Sequence, residues 1–308
     1  MKPITDYTLP SSLSGLASSM LASGGFGAKH LGQAVQTLEA MNKDKQCTRI
    51  LSFPADVCST GFRGVLAEYV RKGLCDAIIT TCGTLDHDLA RGWGGDYMHG
   101  AFGMDDAALH RKKVYRLGNV LIPQAHYGGV LEKRMRPILS RLEKQKRDWS
   151  PHELCAAFGK EATKDRHSIL AAAAKRRVPV FVPGITDGAF GSILLFNSGI
   201  RLDVLGDERK LADLIFDSKR LGALMLGGGI SKHHTIWWAQ FKGGLDYAVY
   251  VTTASQYDGS LSGARLEEAV SWGKVKEKAK YVTVDGDATI VVPLILGALY
   301  ERLGGKRG

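Results

Sequence analysis

The run Ala223-Leu224-Met225-Leu226-Gly227-Gly228-Gly229-Ile230-Ser231-Lys232-His233-His234 sets an uninterrupted apolar segment against three glycines and a polar, basic exit. A short apolar run bounded by glycine reads as a buried strand that opens into a loop. The same grammar recurs along the chain. Residues 50–53 lead into Pro54-Ala55-Asp56-Val57-Cys58-Ser59-Thr60-Gly61, and 77–80 lead into Thr81-Cys82-Gly83-Thr84-Leu85-Asp86-His87-Asp88. Residues 178–182 lead into Pro183-Gly184-Ile185-Thr186-Asp187-Gly188, 247–251 into Thr252-Thr253-Ala254, and 281–284 into Asp285-Gly286-Asp287-Ala288. Helical spacing fills the intervals, as over 64–71, 151–175 and 208–218. Strands alternating with helices predict an α/β fold: a doubly wound, mostly parallel sheet with helices on both faces, read here as a single domain over 1–308. In such a sheet the polar exits gather at the carboxyl edge, where one extended ligand can touch them all.

Composition narrows the function. A chain of 308 residues buries a sizeable core without disulfides. Its five cysteines, Cys47, Cys58, Cys75, Cys82 and Cys155, form no CxxC pair, so neither a zinc site nor a disulfide framework is expected. No leader-like start or long apolar span is read, and a cytoplasmic protein with no membrane partner is expected. The net charge of +10 lies in helix-like stretches without interleaved aromatics, which argues against nucleic-acid binding.

The glycine triplet permits close backbone approach by a pyrophosphate or a nicotinamide, and serves equally as a structural turn. Ser59, Thr60 and Thr81 offer hydroxyls beside Gly61 and Gly83, while Asp187 and Asp287 offer acceptors for ribose hydroxyls; each also suits a helix cap or turn. His233 and His234, presented on a strand-exit loop, suit a base or a hydrogen-bond partner for an amine. Their adjacency lacks metal-ligand spacing, so no metal is expected. Chemistry-bearing side chains are densest in Asp258-Gly259-Ser260-Leu261-Ser262-Gly263-Ala264-Arg265-Leu266-Glu267-Glu268-Ala269-Val270-Ser271-Trp272-Gly273-Lys274. A helix over 267–272 places Glu268 and Trp272 on one face, and Gly273 turns the chain to present Lys274. Glu268 then pairs with a cationic amine, Trp272 offers it a ring face, and a desolvated Lys274 forms an imine. By spacing alone Lys274 reads first as a helix-end lysine facing the dipole.

This stretch resembles the active-site segment of deoxyhypusine synthases. The likeness extends through Gly227-Gly228-Gly229 with Lys232-His233-His234, Asp246 to Tyr250 with Thr253-Ala254, Thr186-Asp187-Gly188 and Asp287-Ala288. It continues more weakly through Gly25-Phe26, Ser59-Thr60-Gly61, Thr80-Thr81, and Gly118-Asn119 with Ile122-Pro123. The resemblance implies a Rossmann-like, NAD-using homotetramer without metal. Such an enzyme moves the 4-aminobutyl group of spermidine, through an imine on Lys274, to a lysine of the hypusine-bearing translation factor. It implies that His233 and Glu268 act beside Lys274, and that Trp272, His87, Gly259 and Ser260 contact substrate. Ser59, Thr81, Gly83, Asp187, Gly228, Thr253, Ala254, Asp258, Ser262, Asp287 and Ala288 would line the NAD site. Ser192 and Leu261 stand where the eukaryotic pattern has aspartates, His87 where it has a glutamate, and Asp56 where it has an asparagine; the 83–88 segment is similar to archaeal members. A small-molecule aminobutyltransferase of the homospermidine synthase kind and a non-catalytic NAD-binding scaffold are the alternatives.

Overall fold

The computed structural model describes residues 3–305. In chain order the helices are α1 Leu13–Ser23, α2 Phe26–Lys43, α3 Arg63–Arg71, α4 Cys82–Gly92, α5 Asp106–Arg111, α6 Gly128–Gln145 and α7 Pro151–Glu161. They continue with α8 Ile169–Arg176, α9 Ala189–Asn197, α10 Val204–Asp217, α11 Gly229–Gln240, α12 Leu266–Ser271 and α13 Ala288–Arg302. The strands are β1 Cys47–Ser52, β2 Ala77–Ile79, β3 Met98–His99, β4 Val114–Leu117, β5 Val120–Pro123 and β6 Asp148–Trp149. They continue with β7 Val180–Phe181, β8 Arg201–Leu202, β9 Arg220–Leu226, β10 Leu245–Thr252 and β11 Val275–Asp285. Every strand expected from the apolar runs is present.

The chain clusters into two compact units, one holding the segment up to Phe53, Leu74–Asp76 and everything from Leu211 onward, the other holding Pro54–Gly73 and Ala77–Lys210. In the first unit four parallel strands lie in the order β11-β10-β9-β1. Leu221 to Leu226 of β9 and Ala248 to Val251 of β10 are buried throughout, as befits strands covered on both faces. Their carboxyl ends are level: Gly227 N donates to Val251 O at 2.8 Å and Gly286 N to Thr252 O at 2.9 Å. The exits of β9, β10 and β11 therefore share one edge.

In the second unit β2 pairs in parallel with β7, and β3-β5-β4 form a small antiparallel sheet. The sequence pattern hides that sheet because its strands are short and largely exposed. The helix expected over 151–175 is in fact two. Ser150 opens α7 with a capping box to Glu153. A break then precedes α8, whose free N–H groups are claimed by a buried carboxylate: Asp88 accepts from Ile169 N at 3.0 Å, Leu170 N at 2.9 Å and Ser168 Oγ at 2.7 Å. Asp88 also binds Arg63 Nε at 2.5 Å, with both side chains almost fully enclosed. Arg63 reaches Asp165 through its second nitrogen.

Candidate active site

Lys274 is placed by the way α12 ends. Gly273 adopts φ +67°, Gly273 N donates to Val270 O at 2.9 Å, and Lys274 N donates to Ala269 O at 3.0 Å. These are the paired bonds of a glycine-terminated helix, and they set Lys274 at the entry of β11. Leu245 N donates to Lys274 O at 3.0 Å, while Gly244, at φ +99°, lets the two backbones approach so closely that a Cβ there would meet Gly273 O at 2.9 Å. Beyond Lys274 the ladder is irregular: the step from Leu245 to Tyr247 in β10 is matched by that from Val275 to Lys280 in β11. Lys276 fixes this bulge through Asp246 at 2.8 Å.

The Lys274 ammonium lies 5.1 Å from the centre of the Trp272 ring. That indole is 66% exposed in the isolated chain, and Glu268 on the same helix is exposed too. His233 is stacked on Trp237 at 5.8 Å, and its imidazole is held below its ordinary value by burial and by the charge of Lys274. Both His233 and His234 lie within α11 rather than on a strand-exit loop. The helix begins at Gly229 itself, so the glycines form the turn and the histidines follow on its first turns. They consequently face different ways: His233 is exposed, whereas His234 is half-buried beside Trp238 and is pushed down to about 4 by burial.

The carboxyl edge of this unit carries the remaining predicted residues. Gly227 and Gly229 have positive φ, and space around Gly229 is open. Gly228 abuts Ser262, with a Cβ there 2.5 Å from Ser262 Cβ, so the loop after β10 folds back onto the glycine turn. Ser262 O accepts from Tyr250 Oη at 2.5 Å and Thr252 Oγ1 at 3.0 Å. Asp258 accepts from Ser260 N at 2.7 Å, hydrogen bonds from the Ser260 side chain and backbone lower its carboxyl, and Gly259 has φ +71°. Thr253 is exposed beside Ala254, whose N–H donates to Thr252 Oγ1. Asp287 caps α13 through Thr289 N and Oγ1, and Ala288 is that helix's first residue.

The other predicted residues belong to the second unit. Ser59 ends a 3₁₀ turn over Ala55–Ser59 and donates to Asp56 O at 2.6 Å. Thr81 precedes α4, and Gly83 in its first turn allows Ala55 to pack closely, at 2.8 Å from where a Cβ would sit. Asp187 is exposed in the turn before α9, as is Ser192 on that helix. His87 is buried in α4, bonded through Nδ1 to Tyr97 Oη at 2.8 Å, and burial pushes it down to about 4. Its neighbour Asp86 accepts from Ala189 N at 2.9 Å, Phe190 N at 2.7 Å and Tyr127 Oη at 2.8 Å; burial outweighs these donors and raises its carboxyl. Asp86 and Tyr127 were not singled out from the sequence, because their partners lie far along the chain, and nothing in the sequence around Tyr97 announces its bond to His87. Lys232 was quoted only within a motif, yet it is a buried cation bonded to two carbonyls of the 255–265 loop.

Among the described residues no cluster of His, Cys, Asp or Glu is arranged to hold a metal ion, and no helix is long and apolar enough to cross a membrane. All five cysteines are buried and none forms a disulfide.

A family model for deoxyhypusine synthase matches residues 15–299. A Picrophilus torridus protein described as a probable deoxyhypusine synthase is 49% identical over 301 residues, covering 96% of each chain. An Ignicoccus hospitalis protein of the same description is 50% identical over 287 residues, covering 91% of this chain and 89% of its own. In structure the chain is similar to an Entamoeba histolytica protein solved as a candidate deoxyhypusine synthase, with TM-score 0.67, 20% identity, and coverage of 93% of this chain and 92% of that one; this likeness shows the fold. The match over almost the whole chain, with relatives near half identity across most of their lengths, establishes that this chain belongs to the deoxyhypusine synthase family.

Proposed function

We propose that this family member transfers the 4-aminobutyl group of spermidine to a lysine of the hypusine-bearing translation factor, with NAD as recycled cofactor and Lys274 as nucleophile. The observation that carries the reading is the placement of Lys274: a backbone lock at Gly273 and Gly244 projects its amine beside Trp272, within electrostatic reach of His233. With the backbone fixed, only the Lys274 side chain has to orient before attack.

The first unit fits a dinucleotide. Gly229 leaves bare backbone in open space at the start of α11, suited to a pyrophosphate. Gly228, Thr253, Ala254, Asp258, Ser262, Asp287 and Ala288 border the same sheet edge and offer hydroxyl donors and carboxylate acceptors for ribose. Ser59, Thr81, Gly83 and Asp187, which belong to the second unit, are further residues proposed to contact the cofactor. Bound NAD supplies a hydride acceptor and later returns the hydride.

The protein's own groups manage the amines. The Glu268 carboxylate draws an ammonium group of the polyamine, and the Trp272 face offers it a cation–π wall. Lys274 Nζ attacks the imine carbon of the oxidised donor; the new C–N bond forms as 1,3-diaminopropane leaves, and the butylamine fragment remains as an imine on Lys274. His233 is uncharged near pH 7 and accepts the proton released from Lys274. The acceptor lysine then displaces Lys274. Gly259 and Ser260 of the first unit are proposed to contact the donor, and His87, buried in the second unit, is a further proposed substrate residue. A cytoplasmic homotetramer is the proposed assembly.

The test is incubation with NAD and labelled spermidine, together with either the translation factor or putrescine. Label on a lysine of the factor is expected, and Lys274→Ala abolishes it while NAD still binds. Label only in homospermidine overturns the choice of acceptor.

A further inference from the structure

Lys232 is the most enclosed cation in the first unit, with 1% of its surface exposed. Among the described residues no carboxylate pairs with it. Its ammonium donates instead to Leu261 O at 2.8 Å and Ala264 O at 2.6 Å, and stands 3.8 Å from the centre of the Tyr250 ring. An ammonium withdrawn this far from water is costly unless it binds something specific, and a methionine would fill the same space at less cost. What it binds is one short loop.

We propose that Lys232 is a positioning residue that clamps the loop over 255–265 onto the glycine turn, holding Asp258 and Ser262 in register with Gly228 and Gly229 for the dinucleotide. The inference rests on the NAD-binding role assigned above. Three carbonyls of the loop point inward to donors on two regular elements: Leu261 O and Ala264 O to Lys232 of α11, and Ser262 O to Tyr250 and Thr252 of β10. The loop's internal bonds, Gly263 N and Ala264 N to Ser260 O at 3.1 Å each, make the turn tight enough for these carbonyls to converge. Gly263 admits the close fold, since a Cβ there would lie 2.7 Å from Asp258 Oδ1 and nearer still to Ser255 O. Lys232 sits one turn into α11, whose first residue is Gly229. A single side chain thus ties the helix that begins at the glycines to the loop that packs against them. Neighbouring charges act on it only through space: Glu268 favours the ammonium, and Arg265 and Lys274 oppose it.

The experiment compares the parent with Lys232→Met and Tyr250→Phe, the latter removing only the hydroxyl that binds Ser262 O. Native-state chymotrypsin cleavage after Tyr257, which is 88% exposed on this loop, reports local release. Titration calorimetry with NAD reports cofactor affinity, and circular dichroism confirms folding. Expected are an increase in cleavage and a weakening of NAD binding of about tenfold or more in Lys232→Met, with smaller changes of both in Tyr250→Phe. Arg63→Met, a destabilising change in the other unit, should leave Tyr257 cleavage at the parent rate well below the melting range. Folded Lys232→Met with cleavage and NAD affinity both within about twofold of the parent overturns the clamp. If Lys232→Met does not fold, the same result in Tyr250→Phe overturns it. Faster cleavage in the variants of a parent that binds no NAD supports the clamp and overturns the proposed function instead.

Discussion

Replacing Gly228 with alanine isolates the contact that joins the glycine turn to the loop after β10. Gly228 has φ −115°, outside the left-handed region, and the contact with Ser262 sets the steric cost of a side chain there. The new methyl would lie 2.5 Å from Ser262 Cβ and closer still to its Cα and Oγ, against an ordinary separation of about 3.5–4 Å. Ser262 must retreat by roughly 1 Å or more to restore normal contact. Its carbonyl is tied to Tyr250 Oη and Thr252 Oγ1, so that retreat stretches both bonds. Overpacking costs about 1–3 kcal/mol and each weakened hydrogen bond about 1 kcal/mol, offset by about 0.5 kcal/mol from a stiffer unfolded chain. The expected net loss is about 3 kcal/mol in urea unfolding at 25 °C, accompanied by weaker NAD binding. Gly103→Ala, in open space, should stay within about 0.5 kcal/mol of the parent. Gly228→Ala matching that control in stability, with undiminished NAD affinity, would refute the packing argument.

Two further outcomes follow from buried charge. Arg63→Met strips the Asp88 carboxylate of its guanidinium while leaving three neutral donors, and should destabilise the protein by about 3 kcal/mol in chemical denaturation; a loss under about 1 kcal/mol would show that those donors suffice alone. His87 and His234 both sit near 4 when folded against 6.5 when unfolded. Between these values the unfolded chain binds protons that the native state refuses, so stability falls as pH drops from about 6.5 to 4, by up to about 3 kcal/mol for each imidazole. Unfolding free energies at pH 7 and 4.5 measure this loss, and His234→Gln should remove its share; an unchanged slope would count against burial as the cause.

The parallel strands were legible because strands covered on both faces read as unbroken apolar runs, as in 223–226 and 247–251. Segment 267–274 was legible as a helix ended by Gly273, since that glycine both stops α12 and turns the chain. The split of 151–175 was not, because it depends on Asp88, far away in sequence, claiming the first N–H groups of α8. His233 and His234 looked like loop residues because three glycines precede them, and α11 starts at Gly229 with no capping side chain to announce it. Lys232 stood in the sequence only as part of a motif; the return of the loop over it is what makes it a buried donor.

Borohydride trapping with spermidine and NAD, followed by peptide mass spectrometry, tests the central claim most directly. A reduced aminobutyl adduct on Lys274 that requires NAD, and that disappears in Lys274→Ala, is the predicted result. An adduct on another lysine, or NAD binding with Lys274 left unmodified, would contradict it.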